Sequence, residues 1–158
     1  LMGASGQGRT EVVNALLEAG ASVDTRDKDG ATALTYASIQ GRTEVVRALL
    51  EAGASVDAQA TEGGTALISA AVAGRTDVVH ALLEAGASVD LQSKDGWTAL
   101  MVASVKGHAE VAEVLLEAGA SLAKTDAGGK TASDHASEHP TVLALLAEAE
   151  AGQRDELR

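Results

Sequence analysis

Cysteine and phenylalanine are absent from this chain, and proline occurs once, at Pro140. Without cysteine no disulfide can staple the fold and no thiolate can hold a metal, while the compartment stays open. Aromatic rings are reduced to Tyr36 and Trp97. Large rings usually dominate a single round core, so packing here falls to Leu, Val and Ala, which suits thin, closely spaced layers. Basic residues are also scarce. Twelve Lys and Arg face 23 Asp and Glu, a formal net charge of −11. That balance argues against nucleic acid, whose binding rests on neutralising phosphates, and against anionic membrane surfaces. It favours approach of a partner protein with a basic surface. No apolar run reaches the ~18–20 residues of a membrane span. No signal-peptide pattern is visible, and an intracellular location is favoured. The chain opens on Leu1, not on an initiator Met, so the true N-terminus is expected upstream.

What is present is a beat. "LLEAGAS" stands at Leu16–Ser22, Leu49–Ser55, Leu82–Ser88 and Leu115–Ser121, each start 33 residues after the last. Thr32-Ala33-Leu34 returns as Thr65-Ala66-Leu67 and Thr98-Ala99-Leu100, and then as Thr131-Ala132-Ser133. Gly30, Gly63, Gly96 and Gly129 each precede that Thr by two. A catalytic motif needs to occur once, whereas a phrase at constant spacing marks a periodic fold.

Each period predicts two helices. Thr32 is placed to cap a short helix that runs through Leu34 and Ala37 to Gly41. A second helix follows, "RTEVVRALLEAG", with Thr43 as its expected cap and Glu44 where the dipole favours an acid. Val45, Val46, Leu49 and Leu50 fall on one face, and Gly53 is a natural left-handed terminator. The spacing predicts pairs near 32–39/43–52, 65–72/76–85 and 98–105/109–118. Leu49, Leu50, Leu82, Leu83, Leu115 and Leu116 are the expected spine. "GASGQG", Gly3 to Gly8, is poor in helix formers and predicts a frayed or truncated start. The last period changes at Pro140 and loses about three residues if Leu145-Leu146 match Leu115-Leu116.

This pattern resembles the ankyrin repeat, a unit of about 33 residues with a turn, two antiparallel helices and a T-P-L-H-x-A signature. The signature reads here "TALTYA", "TALISA", "TALMVA" and "TASDHA". Its Pro is Ala at 33, 66, 99 and 132, and its His is Thr35, Ile68, Met101 and Asp134. In the family that His joins a hydrogen-bond network between repeats, so this network is expected to be missing. The resemblance implies an all-α solenoid of stacked helix-turn-helix units with hairpin-like loops. One domain is expected over 1–158: a partial repeat at 1–26, repeats at 27–59, 60–92 and 93–125, and a C-terminal capping repeat at 126–158. It further implies a non-catalytic, monomeric module that needs no cofactor and binds a partner protein through its concave face.

Two motifs offer chemistry. "HASEH", His135 to His139, matches H-x-x-E-H, in which two His on one helix hold zinc and a Glu serves as base. A metal-dependent hydrolase using His135, Glu138 and His139 is therefore the alternative. Pro140 follows directly and biases His139 away from helical geometry. "GGKT", Gly128 to Thr131, is similar to the end of a phosphate-binding loop, but Lys124 stands where its first Gly belongs and no strand precedes it. A regulatory segment of a larger enzyme is a further alternative. His80 and His108 fall at helix positions that are usually exposed or structural, and His108 aligns with Arg42 and Arg75.

Positions where the periods disagree point to specificity. Seven residues after each cap Thr stand Ile39, Val72, Val105 and Glu138, followed by Gln40, Ala73, Lys106 and His139. Trp97 is a loop residue where other periods have Ala31, Gly64 and Lys130. In the family such positions face the concave groove. The expected partner site is thus Trp97 with the row Ile39, Val72 and Val105, beside Gln40 and Lys106, rimmed by Lys28, Asp29, Glu62, Lys94 and Asp95. Tyr36 is left out, because its slot usually packs between repeats.

Overall fold

The computed structural model describes residues 1–156 and is helical throughout, with no strand among them. The helices are α1 (Met2–Gly6), α2 (Thr10–Glu18), α3 (Ala33–Ile39), α4 (Thr43–Glu51), α5 (Ala66–Val72), α6 (Thr76–Glu84), α7 (Ala99–Lys106), α8 (Ala109–Glu117), α9 (Ala132–His135) and α10 (Pro140–Glu156). The three interior pairs lie where the period places them. Leu157 and Arg158, the end of the expected capping repeat, lie outside the described residues.

Local chemistry sets the first helix of each pair. Thr32, Thr65, Thr98 and Thr131 have extended backbones, and their hydroxyls accept from the backbone N–H of Thr35, Ile68, Met101 and Asp134. The second helices differ from expectation. Thr43 is the first residue inside α4; Arg42 is the cap residue, and its side chain makes no capping bond. That side chain is committed to the neighbouring repeat instead.

Helices of the same rank stack side by side. α1, α3, α5, α7 and α9 form one layer, and α2, α4, α6, α8 and α10 form the other. The first layer closes on alanines: Ala33, Ala37, Ala66, Ala70, Ala71, Ala99 and Ala103 are all buried. The second closes on larger residues, Val45, Val46, Leu49, Val78, Val79 and Leu82 among them. Small side chains let the helices of the first layer approach more closely than those of the second. Leu49, Leu82, Leu115 and Leu146 are fully buried, but Leu50, Leu83 and Leu116 are only partly so. The spine is therefore one leucine per repeat, with the second leucine at its edge.

Four hydrogen-bond ladders tie the repeats together, one of them running from the Arg26 guanidinium to the Gln59 carbonyl, from Gln59 Nε2 to the Gln92 carbonyl and from Gln92 Nε2 to the Thr125 carbonyl. Asp24, Asp57 and Asp90 accept from the N–H of Ser55, Ser88 and Ser121, each at 2.9 Å. The backbone N–H groups of Thr61, Lys94 and Ala127 donate to the carbonyls of Asp29, Glu62 and Asp95 at successive loop tips. Arg42 and Arg75 donate through Nε to the carbonyls of Gly6 and Ile39, each at 3.3 Å. His108 Nε2 meets the Val72 carbonyl at 3.2 Å, and His139 Nε2 meets that of Val105 at 3.0 Å. The glycine beneath each such side chain is thereby explained. A Cβ on Gly74 would lie 2.8 Å from the His108 ring.

The ends correct two expectations. α1 is truncated to five residues, against seven in α3 and α5, but it is formed and not frayed, because it packs closely on α3 and tertiary packing outweighs weak propensity. In the last repeat His139 takes the rung that His108 holds 31 residues earlier, and Leu146 takes the burial of Leu115. Two residues are lost, not three, and Leu146 rather than Leu145 continues the spine. α9 is accordingly only one turn long.

Candidate binding surface

Ile39, Val72 and Val105 occupy one slot on the adjacent helices α3, α5 and α7 and are 38%, 38% and 39% exposed. β-Branched aliphatics of this kind usually seek cover, and a row of them is less ordinary than a single exposed residue. Gln40 and Lys106 beside the row are exposed. Lys28, Asp29, Glu62, Lys94 and Asp95 are exposed at the loop tips. Lys94 Nζ and Glu62 Oε1 are 3.9 Å apart, and both remain solvated.

Tyr36, expected between repeats, is instead 40% exposed. Its hydroxyl donates to Asp27 Oδ2 at 2.7 Å. Asp27 is held below the usual aspartate range, first by this bond and then by the Ala31 N–H. The Tyr36 hydroxyl is pushed up in turn by the carboxylate. Gly6 lies beside Tyr36: a Cβ built on it would be 3.8 Å from Tyr36 Cβ. Met2, Gly3, Gly6, Gln7, Tyr36 and Gln40 line a shallow, largely apolar depression of about 380 Å³. No period-wide signal marks Tyr36, because Gly3, Ser69, Val102 and His135 fill its slot elsewhere.

Trp97 does not stand free. It is half-buried against the core. Its ring lies on that of His135, with centroids 4.3 Å apart and planes at 32°. His135 Nε2 in turn donates to Asp126 Oδ2 at 2.8 Å, and both side chains are largely covered. The other oxygen of Asp126 accepts from the N–H groups of Gly128 and Lys130. Asp126 is held below the usual aspartate range, first by the Lys130 N–H and then by His135. Trp97 thus clamps the last repeat to the one before it.

The same bonds address the two motifs. In "GGKT" the backbone donors that would face a phosphate are taken by Asp126. In "HASEH" α9 ends at His135 and α10 begins at Pro140, so no single helix carries both histidines. His135 faces Asp126, whereas His139 reaches back to Val105. Among the described residues, no group of three His, Cys, Asp or Glu side chains could hold a metal ion. Likewise no helix there is long and apolar enough to cross a membrane.

The acidic excess lies mostly away from the row. Glu44, Glu51, Asp77, Glu84, Glu110 and Glu117 are exposed on the second layer. Only Arg47 pairs there, with Glu84 at 3.2 Å, among the described residues. Residues 1–93 match a family model described as ankyrin repeats (3 copies), and residues 82–136 match one described as ankyrin repeats (many copies). No curated protein matches the chain.

Proposed function

Because the chain belongs to the ankyrin-repeat family, whose members are in general non-catalytic protein–protein interaction modules, we propose that it binds a partner protein along the concave first-helix layer. The observation that carries this reading is the exposed row Ile39, Val72 and Val105, in register on three neighbouring helices. Tyr36 extends it at one end, its ring fixed by Asp27. Rigid aromatic and aliphatic anchors ringed by polar residues are the usual make-up of an interface centre. Gln40, Lys106 and the loop-tip charges form that ring. Trp97 supports the surface from behind by fixing the last repeat. The net charge of −11 favours a partner with a basic flank.

The test begins with the intact chain as bait and identification of what it retains. Affinity for that purified protein is then measured with Val72→Asp and Tyr36→Ala, after circular dichroism shows both are folded. Each variant is expected to bind at least about tenfold more weakly, as loss of an interface anchor does. Equal affinity for both variants and the parent would place the interface elsewhere.

A further inference from the structure

The boundary between the pairs α7–α8 and α9–α10 is tied differently from the two before it. Between α3–α4 and α5–α6 all four ladders are complete: Arg75 to Ile39, Asp57 to Ser88, Gln59 to Gln92 and Thr61 to Asp29. Between α5–α6 and α7–α8 they are complete again, through His108, Asp90, Gln92 and Lys94. At the next boundary two of them break. Ala123 stands where Asp24, Asp57 and Asp90 stand, and it has no carboxylate to offer. Thr125 stands where Gln59 and Gln92 stand, and it has no amide to donate. The His139 rung to the Val105 carbonyl and the bond from the Ala127 N–H to the Asp95 carbonyl remain. First-layer packing is shorter there too, since α9 has four residues and α7 has eight. The break is written in Ala123 and Thr125, well inside the chain.

Trp97 and His135 meet at this boundary, and their slots hold no such pair elsewhere. Ala31, Gly64 and Lys130 fill the first slot, and Gly3, Tyr36, Ser69 and Val102 the second. His135 is fixed by Asp126, whose other oxygen holds the N–H groups of Gly128 and Lys130. The turn, the carboxylate and the imidazole therefore form one hydrogen-bonded piece, and the Trp97 ring is its contact with the preceding pair. That piece is also tied to the helices behind it. Ser133 of α9 donates to Glu150 Oε1 of α10 at 2.8 Å, and Ala132, Ala136, Val142 and Leu146 are buried. A segment bonded well within itself and sparsely outward opens as a cooperative unit.

We propose that residues 126–156 form a hinged cap, latched by the stacking of Trp97 on His135, that opens as a unit while residues 1–125 stay folded. Opening gives up the ring stack, the His139 rung and the Ala127 bond. It uncovers Val142 and Leu146 together with the sides of α7 and α8 on which α9 and α10 pack. The boundaries that carry four ladders stay closed over the same interval. Ile39, Val72 and Val105 all belong to the part that stays folded, so the partner reading and the hinged cap stand or fall separately.

The test uses the full chain, whose single tryptophan reports on the latch. Hydrogen exchange followed by mass spectrometry should show α9 and α10 exchanging together, through an opening at least about tenfold more frequent than that of α3 to α6. In urea the Trp97 emission should shift at a lower midpoint than the helical circular dichroism, since the two probes then follow different steps. His135→Ala should speed exchange in α9 and α10 by about tenfold, the worth of an aromatic contact, and leave α3 to α6 unchanged. Asp90→Ala, which removes a rung from the preceding boundary, should leave the emission midpoint below that of circular dichroism. A single opening shared by all the helices of the parent, or coincident emission and circular dichroism transitions, would overturn the proposal. So would a His135→Ala variant that exchanges faster in α3 to α6 by as much as in α9 and α10, since the stack would then steady the whole fold and latch no part of it.

Discussion

The ring of Trp97 lies on that of His135, centroids 4.3 Å apart, across the last inter-repeat boundary. The largest side chain of the protein is thus spent on holding its final repeat. Trp97→Ala is expected to cost about 1–3 kcal/mol, below the range for a fully buried ring. Partner affinity should change little once the variant is folded. Chemical denaturation followed by circular dichroism checks the first point, and titration of the partner checks the second. A stable variant that had lost its partner would return Trp97 to the interface.

The Asp126 carboxylate gives this boundary a pH dependence. Its folded-state pKa is depressed, first by the Lys130 N–H and then by His135. A depressed aspartate stabilises the fold above its unfolded pKa, and that contribution is lost as pH falls through the folded value. Asp27 and Asp134 are depressed as well, by Tyr36 and by the Thr131 N–H, so all three act in the same direction. Melting temperature should therefore fall between about pH 5 and pH 3. Asp126→Asn should melt lower than the parent at neutral pH and lose less on acidification. Parallel acid limbs for the two proteins would remove Asp126 from this account.

Leucines that the sequence treats alike are separated by the structure. Leu82 is fully buried between repeats, whereas Leu83 sits at the edge of the core. Leu82→Ala should cost about 2–5 kcal/mol, because a packed interior repeat cannot collapse around the cavity. Leu83→Ala should cost roughly half as much or less, in proportion to the apolar area it removes from water. Urea midpoints of the two variants settle the order, and similar losses would contradict the assigned burial.

Most of the fold is legible because identical interfaces demand identical residues. The cap threonines, the turn glycines and one leucine per repeat recur every 33 residues and have the places that recurrence predicts. The inter-repeat hydrogen bonds were hidden. With the family's signature His gone they run through Asp24 to Ser55 and through Arg42 to Gly6, pairs 31 and 36 residues apart. Nothing in a single period reveals them. The candidate surface was legible in part. Ile39, Val72 and Val105 repeat, so periodicity finds them, but Tyr36 and Trp97 are unique, and periodicity is silent on unique residues. Their different exposures depend on neighbours. Gly6 leaves Tyr36 open, whereas His135 covers Trp97.

Two glycines separate conformational strain from close approach. Gly86 has φ 85° with open space where a Cβ would go, and Gly74 has φ 65° with the His108 ring 2.8 Å from that point. Gly86→Ala should cost about 1–2 kcal/mol, the penalty of a left-handed L-residue. Gly74→Ala should cost more, since His108 must also leave the Val72 carbonyl. The double variant with His108→Ala isolates that second part. If Gly74→Ala costs the same with and without His108, the ring is not the obstacle.

Ser38 offers a substitution that improves the protein. Its hydroxyl is buried and has no hydrogen-bond partner among the described residues. Ser104, two periods later, donates to the Leu100 carbonyl at 2.8 Å. The period between them has Ala71 in this slot, fully buried, so the interface accepts a methyl group there. An unsatisfied buried hydroxyl costs about 1–3 kcal/mol of desolvation, and alanine is also the better helix former by a few tenths of a kcal/mol. Ser38→Ala should therefore raise stability by roughly 1 kcal/mol. Ser104→Ala should gain less, because it gives up a bond that is made. Denaturation of the two variants beside the parent is the measurement. A loss of stability in Ser38→Ala would show that its hydroxyl is satisfied in solution.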